Sequence, residues 1–169
     1  MKESDLSIHC HVEVADPDWN VDEQRLKRLA DAALRLMKSE IMAIRGVRRA
    51  IGVSCYVVRP SRMRELNRDL RGSDTVTDML SFPLGYAMPG TGWVLGDVVI
   101  CLDAVEHKAL ASDNLMDDQL VFSLVHSLLH LVGLDHMSED ERAHMERREE
   151  QVFAELGTGD WSRVAVRSA

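Results

Sequence analysis

Three of the seven histidines in this 169-residue chain fall within one short stretch, His126-Ser-Leu-Leu-His130-Leu-Val-Gly133-Leu-Asp-His136. Residues four apart on a helix share a face, so His126 and His130 can turn two imidazoles toward a common ion. Gly133 can adopt a positive φ, end the helix and swing the chain back, which brings a third imidazole, His136, to the same point. Two unconnected imidazoles on one apolar face would be costly to bury, whereas a shared divalent cation satisfies both. A structural zinc normally closes its shell with four protein ligands, often including Cys. Three protein ligands leave one position open. Three neutral donors also leave the ion its full double charge, so it can acidify water and polarise a carbonyl or phosphoryl oxygen. A metal-dependent hydrolase is the expectation. Asp135 precedes His136 directly and reads as a supporting or turn residue rather than a fourth ligand.

The same spacing occurs in zinc peptidases of the H-E-x-x-H-x-x-G-x-x-H type, where the Glu acts as general base. Ser127 stands at that position, and a serine has no useful basicity near neutral pH, so peptide hydrolysis is disfavoured. A metallopeptidase-like hydrolase remains the alternative if Glu106, Glu139 or Glu141 supplies the base. Phosphodiester cleavage depends more on neutralising oxyanion charge, which a metal and an arginine can share. Residues 59–71 hold Arg59, Arg62, Arg64, Arg68 and Arg71 against Glu65 and Asp69, a local excess of three positive charges within a chain of net charge −8. That acidic balance argues against indiscriminate nucleic-acid binding over the whole surface but permits such a patch. Taken alone, the patch is equally a solvated helix face.

The elements that must carry these residues follow from periodicity. Leu6 to Val14 alternates as a strand, with His9 and His11 facing outward as plain surface residues. Leu26 to Ile44 repeats as one long amphipathic helix closed by Gly46. Residues 49–58 form a second strand, and Pro60 starts a short helix ended by Gly72. Met79 to Phe82 reads as a short edge strand stopped by Pro83, followed by a Gly/Pro loop, LGYAMPGTGW. Leu95 to Leu102 suits a strand covered on both faces, and Ala104 to Ala111 a helix. Residues 117–132 give a mostly buried helix with acids at its start, and Ser138 with Glu141 forms a capping box for a last helix to Leu156. Cys10, Cys55 and Cys101, each in an apolar run, are expected to be packing residues. With 46% hydrophobic residues the chain can bury a full core, and its size fits one domain. We therefore expect a single hydrolase domain over residues 1–157 and a frayed tail over 158–169. No apolar stretch is long enough for a membrane span and no secretory h-region opens the sequence, so a cytoplasmic protein is expected.

Three stretches carry a family resemblance. HSLLHLVGLDH (126–136) looks like H-G-x-L-H-L-x-G-x-D-H, with Ser127 in place of the usual Gly. LNRDLRGSDTVTDMLSFP (66–83) is similar to L-N-x-x-x-R-G-x-D-x-x-T-D-V-L-S-F-P, with Met79 for Val, and LGDVVI (95–100) is close to L-G-D-I-V-I. Together they resemble the YbeY family of bacterial metal-dependent endoribonucleases, over residues 5 to 156. The resemblance implies a zincin-like α+β fold, a small mixed sheet of about four strands packed with about five helices. It implies one Zn²⁺ per chain on His126, His130 and His136, although imidazole ligands suit other divalent transition metals as well, and Arg71 as the catalytic arginine. It also implies single-strand-specific endoribonuclease action in rRNA maturation, at the 16S rRNA 3′ end, and in ribosome quality control. The partners implied are precursor rRNA, the small ribosomal subunit and ribosome-associated proteins. If water is the nucleophile DNA is cut too; if the ribose 2′-hydroxyl attacks, products end in a cyclic phosphate. Thr77 and Asp78 stay outside the catalytic set. A non-catalytic ribosome-assembly factor with a structural metal is the remaining alternative.

Overall fold

Apolar alternation in two long strands and a buried, two-sided third one generate the sheet that supports the histidine helix. The computed structural model describes residues 6–47, 49–90, 92–157 and 161–169. Residues 1–5 of the expected domain, Thr91 of the expected loop and residues 158–160 of the expected tail lie outside them. In chain order the elements are β1 (Ser7–Val14), β2 (Trp19–Val21), α1 (Glu23–Leu36), α2 (Lys38–Ala43), β3 (Ala50–Val57) and α3 (Pro60–Arg71). Then follow β4 (Met79–Met88), β5 (Gly92–Ile100), α4 (Leu102–Ala111), α5 (Met116–Leu131), α6 (Glu139–Leu156) and β6 (Ala165–Arg167). The main sheet has the order β1-β3-β5-β4, with β1, β3 and β5 parallel and β4 antiparallel along the edge. This is the mixed four-stranded α+β arrangement expected, with six helices described rather than about five.

Neighbouring residues of β5 serve opposite faces of the sheet. Val98 and Ile100 enter the large core with Leu29, Leu34, Val53, Leu124 and Leu128, under α1 and α5. Val99 and Cys101 join a smaller cluster with Met63 and Leu80, covered by α3. Such two-sided burial explains the near-continuous apolar run of β5. Cys10 and Cys55 pack in or against the large core, and all three cysteines are free thiols.

The structure departs from the expectations at three places, each for a local reason. The long first helix breaks at Met37 into α1 and α2. Arg148 of α6 reaches the break, donating from Nη2 to the Leu36 carbonyl (3.0 Å) and from Nε to Glu40. A side chain inserted into the helical ladder is a sufficient cause for a kink. Strand β4 does not stop at Pro83. It continues to Met88 because Pro83 lies on the edge strand, where the pairing register shifts between Pro83 and Tyr86, and a bulged edge tolerates a missing N–H. The expected loop is therefore mostly the second half of a hairpin. Nor is the described part of the tail frayed: β6 pairs antiparallel with β2, Val164 and Ala165 are buried, and the Arg167 guanidinium lies 4.4 Å from the Trp19 ring centre. No helix among the described residues is long and apolar enough to cross a membrane.

Candidate metal centre

Helix α5 is buried along most of its length, with Leu120, Leu124, Val125, Leu128 and Leu129 in the core. Its histidines occupy the one flank left open. His126 and His130 lie one turn apart, and their Nε2 atoms face each other at 3.1 Å. The outer nitrogens are held elsewhere: His126 Nδ1 meets the Glu149 carboxylate, and His130 Nδ1 lies 3.0 Å from the Leu134 carbonyl oxygen. Acceptors at both Nδ1 positions favour the tautomer with the proton there, leaving two Nε2 lone pairs aimed at one point. Gly133 makes this possible. Its φ of +103° turns the chain after α5, so that Leu134 folds back under His130 and His136 arrives from the loop.

One ring nitrogen from each of His126, His130 and His136 lies within 4.8 Å of the other two. Two zinc–imidazole bonds of 2.0–2.1 Å at a tetrahedral angle would set nitrogens about 3.3 Å apart, close to the distance seen between His126 and His130. Facing lone pairs at that distance repel unless a cation lies between them, so the donor set fits a divalent metal. Burial, reinforced by the neighbouring His126, holds the His130 imidazole below its ordinary pKa, which keeps it neutral as a ligand must be. Asp135 Oδ1 accepts from the backbone N–H of His136 (2.8 Å) and thus shapes the loop.

The trio opens into a cavity of about 900 Å³ between α5, the loop after it and strand β4. Arg71, the last residue of α3, lines the same cavity. Its Nη2 donates to the Ser81 carbonyl (2.6 Å) and its guanidinium lies 5.6 Å from the Phe82 ring centre. The other arginines of α3 are spent differently: Arg62, Arg64 and Arg68 pair with Glu65, Asp74 and Asp69 on the exposed surface. Edge strand β4 is held close to β5 by Gly96, where a Cβ would fall 2.2 Å from the Phe82 carbonyl oxygen. All four expected site residues, Arg71, His126, His130 and His136, therefore meet in one recess.

Thr77 and Asp78, kept outside the catalytic set, also line the cavity, while Lys108, Ser123 and Glu149 of its lining were not singled out by sequence reasoning. Asp78 Oδ2 accepts from Ser123 Oγ (2.7 Å) and Lys108 Nζ (3.1 Å), and Gln119 donates to Ser123 in turn. Burial opposes ionisation of Asp78, but the Ser123 hydrogen bond and the Lys108 ammonium outweigh it and hold the carboxyl below the usual range. The signal was available, because Gln119, Ser123 and Ser127 repeat every four residues along an otherwise apolar helix. Glu149 occupies an inward position of α6 in phase with Met145, Val152 and Leu156. The peptidase bases considered above are elsewhere: Glu106 binds Arg167, Glu141 closes the capping box, and neither they nor Glu139 line the cavity. The two departures from the family signature touch one another, Ser127 Oγ donating to Met79 Sδ at 3.6 Å.

Comparison with known proteins agrees with this geometry. The family described as Endoribonuclease YbeY matches residues 11–157. A relative named endoribonuclease YbeY from Agrobacterium fabrum is 44% identical over 112 residues, 65% of this chain and 67% of that one. Namesakes from Rhizobium johnstonii and Dichelobacter nodosus are 34% and 32% identical, covering 95% and 93% of this chain and 94% and 97% of theirs. The solution structure of TM1509 from Thermotoga maritima shares the fold, with a TM-score of 0.55 at 24% identity over 91% of this chain and 94% of that one. A family match across most of its length, with full-length relatives beside it, means that the chain belongs to the endoribonuclease YbeY family.

Proposed function

We propose that this protein is a metal-dependent endoribonuclease that cleaves phosphodiester bonds of single-stranded RNA during rRNA maturation, at the 16S rRNA 3′ end, with zinc held by His126, His130 and His136. The observation that carries the reading is the meeting of three convergent imidazoles with an arginine across one recess. When bound, the ion supplies Lewis-acid stabilisation of charge developing on phosphoryl oxygens. Arg71 contributes a planar fork, of which Nη2 is tied to Ser81 while the remaining N–H groups are free to grip a phosphate oxygen. The Ser81 bond orients that fork before substrate arrives, which is where electrostatic stabilisation gains most. An unpaired strand suits the recess because its backbone can turn for in-line attack and its bases can splay out.

Peptide hydrolysis has less support. Ser127 is buried against Met79, and the Glu149 carboxylate is engaged by the outward nitrogen of His126. A purely structural metal is disfavoured by a donor group that holds three histidines among the described residues, one of them exposed. Precursor rRNA, the small ribosomal subunit and its associated proteins are the partners of this reading, in the cytoplasm. Incubation of the zinc-loaded protein with single-stranded RNA, duplex RNA and casein tests it. Cleavage of the single strand alone, abolished by chelation, is expected; casein digestion or chelator-resistant RNA cleavage would overturn it.

A further inference from the structure

Helix α6 buries a charge where its pattern calls for an apolar residue. Met145, Glu149, Val152 and Leu156 form its inward stripe, and Glu149 is only 7% exposed. A carboxylate in such a position is costly unless it is paired. Its neighbour Arg148 does not pair with it, being directed to Glu40 and the Leu36 carbonyl at the α1–α2 break. The Glu149 oxygen instead meets Nδ1 of His126, while Nε2 of that ring faces His130. One imidazole thus bridges a buried carboxylate and the point where three nitrogens converge.

The geometry points to Glu149 as the positioning residue of the metal centre: its carboxylate fixes the His126 tautomer and ring plane and adds negative charge behind the ring, strengthening Nε2 as a metal donor. The inference rests on the reading of the histidines as ligands. It requires no particular substrate. Carboxylate support of a ligating histidine is a general means of tuning metal affinity, and His130 receives only a neutral carbonyl in the corresponding place. Helix α6 is braced for the task. Its capping box at Ser138 and Glu141 fixes its start two residues beyond His136, and Arg148 clamps its far half to the α1–α2 break. The same rigid element therefore sets where the His136 loop ends and where the His126 ring points.

The test is titration of Zn²⁺ into metal-free protein against a chromophoric chelator, for wild type, Glu149→Gln and Val152→Ala, together with melting of each metal-free protein and ¹⁵N shifts of the His126 ring. Glu149→Gln should bind zinc about 10- to 100-fold more weakly, lose its predominance of the Nδ1–H tautomer, and melt no lower than wild type. Val152→Ala should melt lower with its zinc affinity within a few-fold of wild type. Wild-type zinc affinity in Glu149→Gln overturns the inference, and so does a weakening matched in Val152→Ala, which would mean packing alone. Wild-type protein that takes up no zinc overturns the three-histidine reading and this inference with it. Because no RNA enters the titration, failure of the endoribonuclease reading shows separately, as zinc-loaded protein that leaves RNA intact.

Discussion

The two walls of the cavity are built differently. On one, His126 and His130 stand on a helix whose other faces are packed into the core, and each ring is gripped at its outer nitrogen by Glu149 or by the Leu134 carbonyl. On the other, Arg71 ends a helix with an exposed charged face, and the hydrogen bond that orients it goes to the edge strand. The histidine wall is held by a packed helix and by a partner at the outer nitrogen of each ring, as a metal requires for ligands fixed before it binds. The arginine wall has one anchor and room to adjust, which suits a group that meets a moving, charged substrate. The other arginines of α3 form exposed pairs whose attraction solvent and salt largely screen, so the basic stretch is largely the solvated face its composition also allowed.

Breaking the arginine wall should leave the histidine wall standing. Arg71→Ala should lower RNA turnover about 10²- to 10³-fold, the usual loss for one oriented donor to a developing charge, while zinc stoichiometry stays at one; parallel rate and metal assays separate this from a fold defect. Gly133→Ala attacks the other wall through the backbone. At a φ of +103° with open space around it, an alanine costs about 1–3 kcal/mol of strain, and displacement of His136 should weaken zinc binding more than it lowers the melting temperature of the metal-free protein.

Asp78 joins the walls, linking the start of β4 to α4 and α5. Asp78→Asn should destabilise the protein by about 1–2 kcal/mol at neutral pH, as expected for hydrogen bonds to a charged group. Its carboxyl is held below the usual range, so the contribution is present above the ordinary carboxylate pKa and is lost as pH falls through the lowered value. Denaturant melts of wild type and variant should therefore converge in acid. The smallest effect concerns Ser127 and Met79: in a double-mutant cycle of Ser127→Gly and Met79→Val, coupling of about 0.5 kcal/mol is expected for neighbours in contact, read from urea unfolding.

What could be read from the chain in advance follows the same division. The histidine trio was legible because its geometry is local: one helical turn, one glycine and one short loop carry all three rings. Arg71 was legible only through its motif, since its approach to the histidines depends on β4 crossing between α3 and α5. Glu149 was not legible as a site residue, lying 23 residues from His126 in a charge-rich helix, although its phase with Met145 and Val152 marked it as inward. The break at Met37 escaped periodicity because it is imposed by Arg148 from a distant helix. The continuation of β4 past Pro83 depends on its being an edge, and β6 owes its order to pairing with β2 and to Trp19.

The most direct measurement is metal content per chain, by elemental analysis of purified wild type and His130→Ala, with circular dichroism on both. Three histidines acting as ligands predict one divalent transition-metal ion per wild-type chain and none in His130→Ala, whose helical content is retained. A full complement of metal in folded His130→Ala, or none in folded wild type after incubation with Zn²⁺, would contradict it.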